Sequence, residues 1–170
     1  MTVRQFCVVA FAVVGADQVS KHFALRALSP QNSISIIPGF AQLTLTTNTG
    51  AAFGALQGAS PYLAVVALIA VVGIAFHVGR QSTLDRTTGC ALALALGGAL
   101  GNFIDRAFRR YVVDFLDVYV GPHHWPVFNV ADACICTGVG LLALQALRGG
   151  GDTTPISGEP RGEQPASVSE

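Results

Sequence analysis

The residues with most capacity for chemistry are aspartates in apolar surroundings. Asp17, Asp105 and Asp132 lie in or at the ends of strongly apolar stretches, and Asp114 and Asp117 fall between two of them. A carboxylate at the centre of a membrane helix costs roughly 3 kcal/mol on insertion scales. Two of the aspartates follow an asparagine in the pattern Asn-x-x-Asp, Asn102–Asp105 and Asn129–Asp132. Such repeated expense points to a polar site built inside a membrane protein. Carboxylates held close together cannot both ionise easily, so they share a proton. The ionised one can deprotonate a water while the protonated one polarises a carbonyl or protonates a leaving amine. That chemistry requires no metal, and no cofactor is expected. Neither a Gly-x-Ser-x-Gly elbow nor a His-Glu-x-x-His helix is present.

The individual groupings differ in what they suggest. Asp17 and Lys21 are four apart on one helical face, with the acid first, the favourable order for an ion pair. Positioning or structural support outranks direct chemistry for both. Asn102 and Asp105 share a helical face. Asp105 reads first as a local partner of Arg109 or a holder of Arg106, ahead of catalysis, whereas the deeper Asn102 amide must find partners inside the membrane. Asp114 and Asp117 lie in Val112–Val118, where flanking valines, Phe115 and Leu116 argue for partial burial, and spacing alone does not choose between them. Trp125 suits the membrane interface and Pro126 a first helical turn. Asn129 and Asp132 then fall one turn inside on a shared face, with no base following before Arg148. Asp132 is therefore a functional candidate. His123 and His124 lack the further ligands a metal would need and read as interfacial loop residues.

These side chains need a scaffold. Of the 170 residues, 51% are hydrophobic and 12% charged, with mean hydropathy +0.52. That charge fraction is about half the soluble norm and points to a membrane protein. A formal net charge of zero suggests no nucleic-acid partner. Four stretches, at about 3–28, 61–78, 87–104 and 127–147, are long and apolar enough to span a bilayer once flanking residues are counted. The first also resembles a cleaved signal peptide, but Ala16-Asp17-Gln18 is a poor cleavage junction and apolar character resumes after Lys21. Between the first two spans, alternation in Ser33–Ile37 and Gln42–Thr47 predicts short strands, with Pro38-Gly39 and Asn48-Thr49-Gly50 as turns. Gly97 and Gly101 share a helix face and predict close helix packing. Cys7, Cys90, Cys134 and Cys136 lie in apolar segments and read as small hydrophobes.

The fold class that follows is an all-α polytopic membrane protein of four transmembrane helices, with a small sheet outside the membrane between the first two. Residues 1–148 form the membrane domain, with its β-rich segment at about 29–60. Residues 149–170, rich in Gly, Pro and Ser, read as a disordered tail. Charge leaves orientation undecided. One side carries Arg4, Arg80, Arg86, Arg148 and Arg161, the other Lys21, Arg26, Arg106, Arg109 and Arg110. Discounting Lys21 and Arg106 as partners of site aspartates favours a cytoplasmic N-terminus, but that discount depends on the functional reading.

Five motifs occur in one order: Asp17-Gln18-Val19-Ser20-Lys21, Asn48-Thr49-Gly50-Ala51-Ala52-Phe53, Gly97 through Arg106, Val112-Val113-Asp114-Phe115 and Phe128-Asn129-Val130-Ala131-Asp132. Each is weak alone. Together, over about residues 5–147, the chain resembles the lipoprotein signal peptidase (signal peptidase II) family. The resemblance implies an aspartic endopeptidase of the bacterial inner membrane, with both termini and the tail cytoplasmic and the sheet extracytoplasmic; a monomer is expected, though the sequence does not reveal oligomeric state. Its partners would be diacylglyceryl-prolipoproteins and membrane lipid, and it would cut just before the lipidated cysteine. By motif position Asp114 and Asp132 would be the catalytic dyad and Asp117 would not. Asn102, Asp105, Arg106 and Asn129 would support the dyad or hold substrate backbone. Asn48 and Gly50 would line the extracytoplasmic side, and Asp17 and Lys21 would belong to the polar framework. Two rival classes are a small proton-coupled transporter or channel and a structural or assembly protein.

Overall fold

The computed structural model describes residues 1–50 and 55–149. The readings of Ala51, Ala52 and Phe53, and of the tail past residue 149, lie outside the described residues. Four helices dominate: α1 (Val3–Ala27), α2 (Ser60–Gly79), α3 (Arg86–Arg109) and α4 (Val130–Gly149). All four are long and apolar enough to cross a membrane. The shortest have 20 residues, about 30 Å of helix, the thickness of a hydrocarbon core.

Local chemistry sets the helix ends. Thr2 and Gln5 form a reciprocal capping box before α1. Asp85 accepts from the backbone of Thr87 and Thr88 at the start of α3. That helix runs past its apolar stretch to Arg109, placing Arg106 and Arg109 in the last turn, where cations suit the helix dipole. Arg110 then takes a left-handed conformation with φ of 70° and turns the chain out of the helix.

Helix α3 packs against each of the other three. Its glycines make this possible. A methyl group at Gly97 would strike the Ala10 carbonyl and Val13 on α1, and one at Gly98 would strike the Ala131 carbonyl and Ile135 on α4. An apolar core of Phe6, Ala10, Val78, Ala93 and Leu96 joins α1, α2 and α3. Outward-facing side chains such as Phe11, Val65, Ile69 and Phe76 are more than half exposed, a surface suited to lipid rather than water. At one end of the bundle Leu84 donates to the Met1 carbonyl at 3.1 Å, and Thr88 donates to Gln145.

A four-stranded antiparallel sheet in the order β1-β2-β3-β4 caps the other end: β1 (Ile34–Ile37), β2 (Ala41–Asn48), β3 (Val112–Val120) and β4 (His123–His124). The expected sheet between the first two spans is therefore only half of it. The link between α3 and α4 supplies the rest, because Val112–Val120 is rich in β-branched and aromatic residues and leaves the bundle beside β2. His123 and His124 form a short strand, not a loop. Pairing of Leu43 with Leu116 and of Thr46 with Asp114 leaves one extra residue on β2, a bulge at Thr44–Leu45. Phe115 anchors the sheet against Ala24 and Leu28 at the end of α1.

A methyl group at Gly101 would lie 2.5 Å from the Asp17 carboxylate, which is itself ion-paired and cannot retreat freely. Gly101→Ala should cost about 1–3 kcal/mol. Gly73→Ala, with nothing within 4 Å, should be neutral or slightly stabilising. Thermal unfolding of the two purified variants checks this, and equal Tm values would refute the tight contact.

Candidate active site

The site begins with a buried cation. Lys21 is fully buried, and its ammonium lies 2.9 Å from Asp17 Oδ2, 3.0 Å from Asp105 Oδ2 and 3.0 Å from Asn102 Oδ1. An ammonium has three donors and no acceptor, so all its capacity is used. Asp105 also pairs with Arg109 and accepts from the Val113 backbone at 3.1 Å. The expected partnership with Arg109 is thus present. Lys21 and Arg109 together neutralise Asp17 and Asp105, as burial demands. Asp17 uses its other oxygen to accept from the Ala131 backbone at 3.0 Å, satisfying a first-turn N–H of α4 that its own helix cannot.

Two asparagines carry this order to the remaining carboxylates. Asn102 donates to Asp132 Oδ1 at 2.7 Å. Asn129 donates to Asp114 Oδ1 at 2.6 Å. Asn48, at the end of β2, donates to Asp114 Oδ2 at 3.1 Å. Asn129 and Asp132 do not lie a turn inside a shared helical face as expected. Helix α4 starts at Val130, after Pro126, and the two residues form a reciprocal cap. The Asp132 backbone donates to Asn129 Oδ1 at 2.9 Å, and the Asn129 backbone donates to Asp132 Oδ2 at 3.3 Å.

Asp114 and Asp132 both line a cavity of about 600 Å³. Its lining includes the polar Arg106, Asn48, Gln57 and Thr46 and the apolar Trp125, Val127, Phe128, Ile135 and Cys136. Asp114 is 2% exposed. Burial, and then the neighbouring Asp132 charge, push its carboxyl up to about 6, against the Asn48 and Asn129 amides. Arg106 donates to the Gly50 carbonyl at 3.1 Å, while its buried Nε has no hydrogen-bond partner among the described residues. An N–H held from water in this way is a place for a ligand oxygen. Gly50 itself is packed so closely that a methyl group there would strike the Ala55 carbonyl, and its backbone donates to Asn48 Oδ1 at 2.9 Å.

Asp117 is elsewhere. Three residues beyond Asp114 on an extended strand, it points to the opposite face. It accepts from Gln42 at 2.7 Å and from Thr44, and lies 2.9 Å from His124 Nδ1. Burial raises its carboxyl, but the hydrogen bonds from Gln42 and His124 outweigh that and hold it below the usual range. Sequence reasoning missed Gln18, which donates to Asp17, Asp105 and the Gly101 carbonyl. Its signals were an amide beside Asp17 in an apolar run and its place in the Asp17–Lys21 motif. The cavity walls from β2 and the Val127–Phe128 segment also carried no signal of their own.

Comparison with known proteins identifies the family. Residues 9–148 match the family described as Signal peptidase (SPase) II. The chain is 40% identical over 148 residues to the lipoprotein signal peptidase of Bacillus pumilus (strain SAFR-032), covering 87% of this chain and 96% of that protein. It is 41% identical over 143 residues to that of Halalkalibacterium halodurans, covering 84% and 92%. A solved structure described as a bacterial membrane enzyme, obtained by the in meso method at 2.3 Å resolution, superposes with TM-score 0.83 at 29% identity, covering 90% of this chain and 93% of that one. A second, at 1.9 Å resolution, gives 0.77 at 31% identity, covering 86% and 94%. Five ordered motifs, a four-helix membrane fold and matches over nearly its whole helical part place this chain in the signal peptidase II family.

Proposed function

We propose that this protein is an aspartic endopeptidase that removes signal peptides from diacylglyceryl-modified prolipoproteins, cutting N-terminal to the lipidated cysteine with water activated by Asp114 and Asp132. The family carries the coarser part: a multi-pass peptidase of a bacterial inner membrane that acts on prolipoproteins. One observation carries the finer part. Among the described residues, Asp114 and Asp132 are the carboxylates that line the cavity, and each accepts a short hydrogen bond from a buried asparagine.

In this mechanism the two carboxyl groups hold one proton. Asp114, raised to about 6, is the member that keeps it, and Asp132 is the base. A water between them loses its proton to Asp132 and attacks the scissile carbonyl, while Asp114 protonates the carbonyl oxygen. Collapse of the tetrahedral intermediate returns that proton to Asp114 and sends the Asp132 proton to the leaving amine. The free Arg106 Nε supports holding a peptide carbonyl beside the dyad. Because one chain supplies every group, the monomer is sufficient.

The sheet end is assigned to the extracytoplasmic side. Lys21 and Arg109 are neutralised by Asp17 and Asp105, and Arg106 lies among the site carboxylates. On that side Arg26 and Arg110 remain, against Arg4, Arg80, Arg86 and Arg148 on the other. This supports cytoplasmic termini. It also separates the reading from a transporter, because Phe6, Ala10, Val78, Ala93 and Leu96 close the other half of the bundle and the carboxylates do not continue through it.

Asp114→Asn and Asp132→Asn should each lower cleavage of a lipidated precursor by at least about a hundredfold in protein that still folds. Asp117→Asn should keep activity within a few-fold. Residual activity near the parental level in either of the first two would remove the dyad.

The pH dependence has a defined sign. If Asp114 carries the working proton, kcat/KM for the free enzyme falls as pH rises through about 6. Bound substrate buries the carboxyl further, so the basic limb of kcat should lie at higher pH than that of kcat/KM. Coincident limbs would show that substrate does not desolvate this group.

The apolar residues in the cavity lining support lipid-guided positioning. Acyl burial is worth roughly 0.8 kcal/mol per CH₂, which holds an adjoining peptide bond at the bilayer surface. A lipidated precursor should therefore be cut with much higher kcat/KM than the unlipidated chain in the same membrane. Equal values would favour a general intramembrane protease.

A further inference from the structure

We propose that Lys21 is a positioning residue for the peptidase reaction, acting through the Asn102 amide on Asp132; this rests on the assignment of Asp114 and Asp132 as the dyad. An ammonium offers only donors, so the Asn102 atom 3.0 Å from Lys21 Nζ must be its carbonyl oxygen. The NH₂ group is then forced the other way, onto Asp132 Oδ1 at 2.7 Å. Asn129 is oriented by the same logic. The Asp132 backbone N–H can only donate, so it meets Asn129 Oδ1 at 2.9 Å, leaving the Asn129 NH₂ for Asp114 at 2.6 Å and Asn102 Oδ1 at 3.3 Å. The amide oxygens face inward to Lys21 and the α4 backbone, and the amide hydrogens face outward to the dyad. Without Lys21 only the longer bond from Asn129, at 3.3 Å, holds the Asn102 oxygen inward, and an amide that turned its oxygen toward Asp132 would set two acceptors against each other.

Lys21 is fully buried and touches neither Asp114 nor Asp132 by hydrogen bond or ion pair. The charged groups around the dyad are Asp17 and Lys21 on α1, Asp105, Arg106 and Arg109 on α3, Asp114 on β3 and Asp132 on α4. Removing Lys21 alone would leave Asp17 and Asp105 with only Arg109 as a counter-charge and could prevent folding. The pair Lys21→Met/Asp17→Asn avoids this. It keeps the buried cluster neutral through Asp105 and Arg109, and an amide at position 17 can still accept from Ala131.

The test measures kcat, KM and pH profile on a lipidated precursor for the parent, Lys21→Met/Asp17→Asn, Asn102→Ala, their triple combination and Asp132→Asn. The double variant should fold, lose on the order of a hundredfold in kcat, hold KM within a few-fold and shift the whole pH profile upward. An ionised dyad without oriented donors holds its protons longer. Asn102→Ala, which leaves the ion pairs in place, should show the same shift, and the triple variant should be no worse than Asn102→Ala. A parental pH profile in the double variant, or losses that multiply in the triple, would overturn the proposal. If the double variant does not fold, a parental pH profile in Asn102→Ala overturns it. Asp132→Asn separates the two readings: if it stays active the dyad fails, whatever Lys21 does.

Discussion

A buried ammonium with all three hydrogen bonds committed is the interaction on which the rest of this structure depends. Inside a membrane, helices gain little by hiding apolar surface from one another, because lipid is as apolar as they are. Small residues allow α3 to approach its neighbours and restrict which of its faces can do so, but they leave the polar groups at that end of the bundle without partners. The Lys21 cluster supplies them. It ties α1 to α3 directly through Asp105 and Asn102, to α4 through Asp17 and the Ala131 backbone, and to β3 through Asp105 and the Val113 backbone. A different rotation of any of these elements would strand a charge or an N–H where no water can replace the lost partner.

The sheet performs the complementary task of presenting a carboxylate that no helix carries. Asp114 lies on β3 opposite Thr46, with β2 delivering Asn48 to the same carboxyl. Alternation along the strand then explains how two aspartates three residues apart have separate fates. Asp114 enters the cavity, while Asp117 is held on the other side by Gln42, Thr44 and His124, with Tyr119 stacked on His124. That second group fixes the β3–β4 turn, and so steadies the Trp125–Phe128 segment that walls the cavity.

Much of this was legible from residue order. Four apolar stretches became four helices with shifts of a few residues at their ends, because span length is set by bilayer thickness. The glycines of α3 declared close packing, and Asp17–Lys21 declared an ion pair. Less legible were arrangements made by partners distant in sequence. Val112–Val120 shows no polar–apolar alternation, because its two aspartates are three residues apart and fall on opposite faces, and its pairing with β2 is a long-range event. The repeated Asn-x-x-Asp spacing also concealed two different structures. At 102 and 105 it is one face of a helix turned to Lys21; at 129 and 132 it is a cap, in which the spacing serves backbone hydrogen bonds first.

The cap explains how Asp132 can be a first-turn residue of a membrane helix and still be held rigidly. Its backbone N–H is satisfied by Asn129, one carboxylate oxygen by the Asn129 backbone and the other by Asn102. Acidic groups at a helix N-terminus are favoured by the dipole, so the position offsets part of the cost of a carboxylate at that depth. Asp114 has no such help from a helix; burial raises it, and two asparagine amides oppose the rise. The two carboxyl groups therefore differ before any substrate arrives, one placed at a helix terminus and one in a buried strand. The dyad proposed for this enzyme needs an asymmetry of this kind to divide the roles of acid and base between chemically identical side chains.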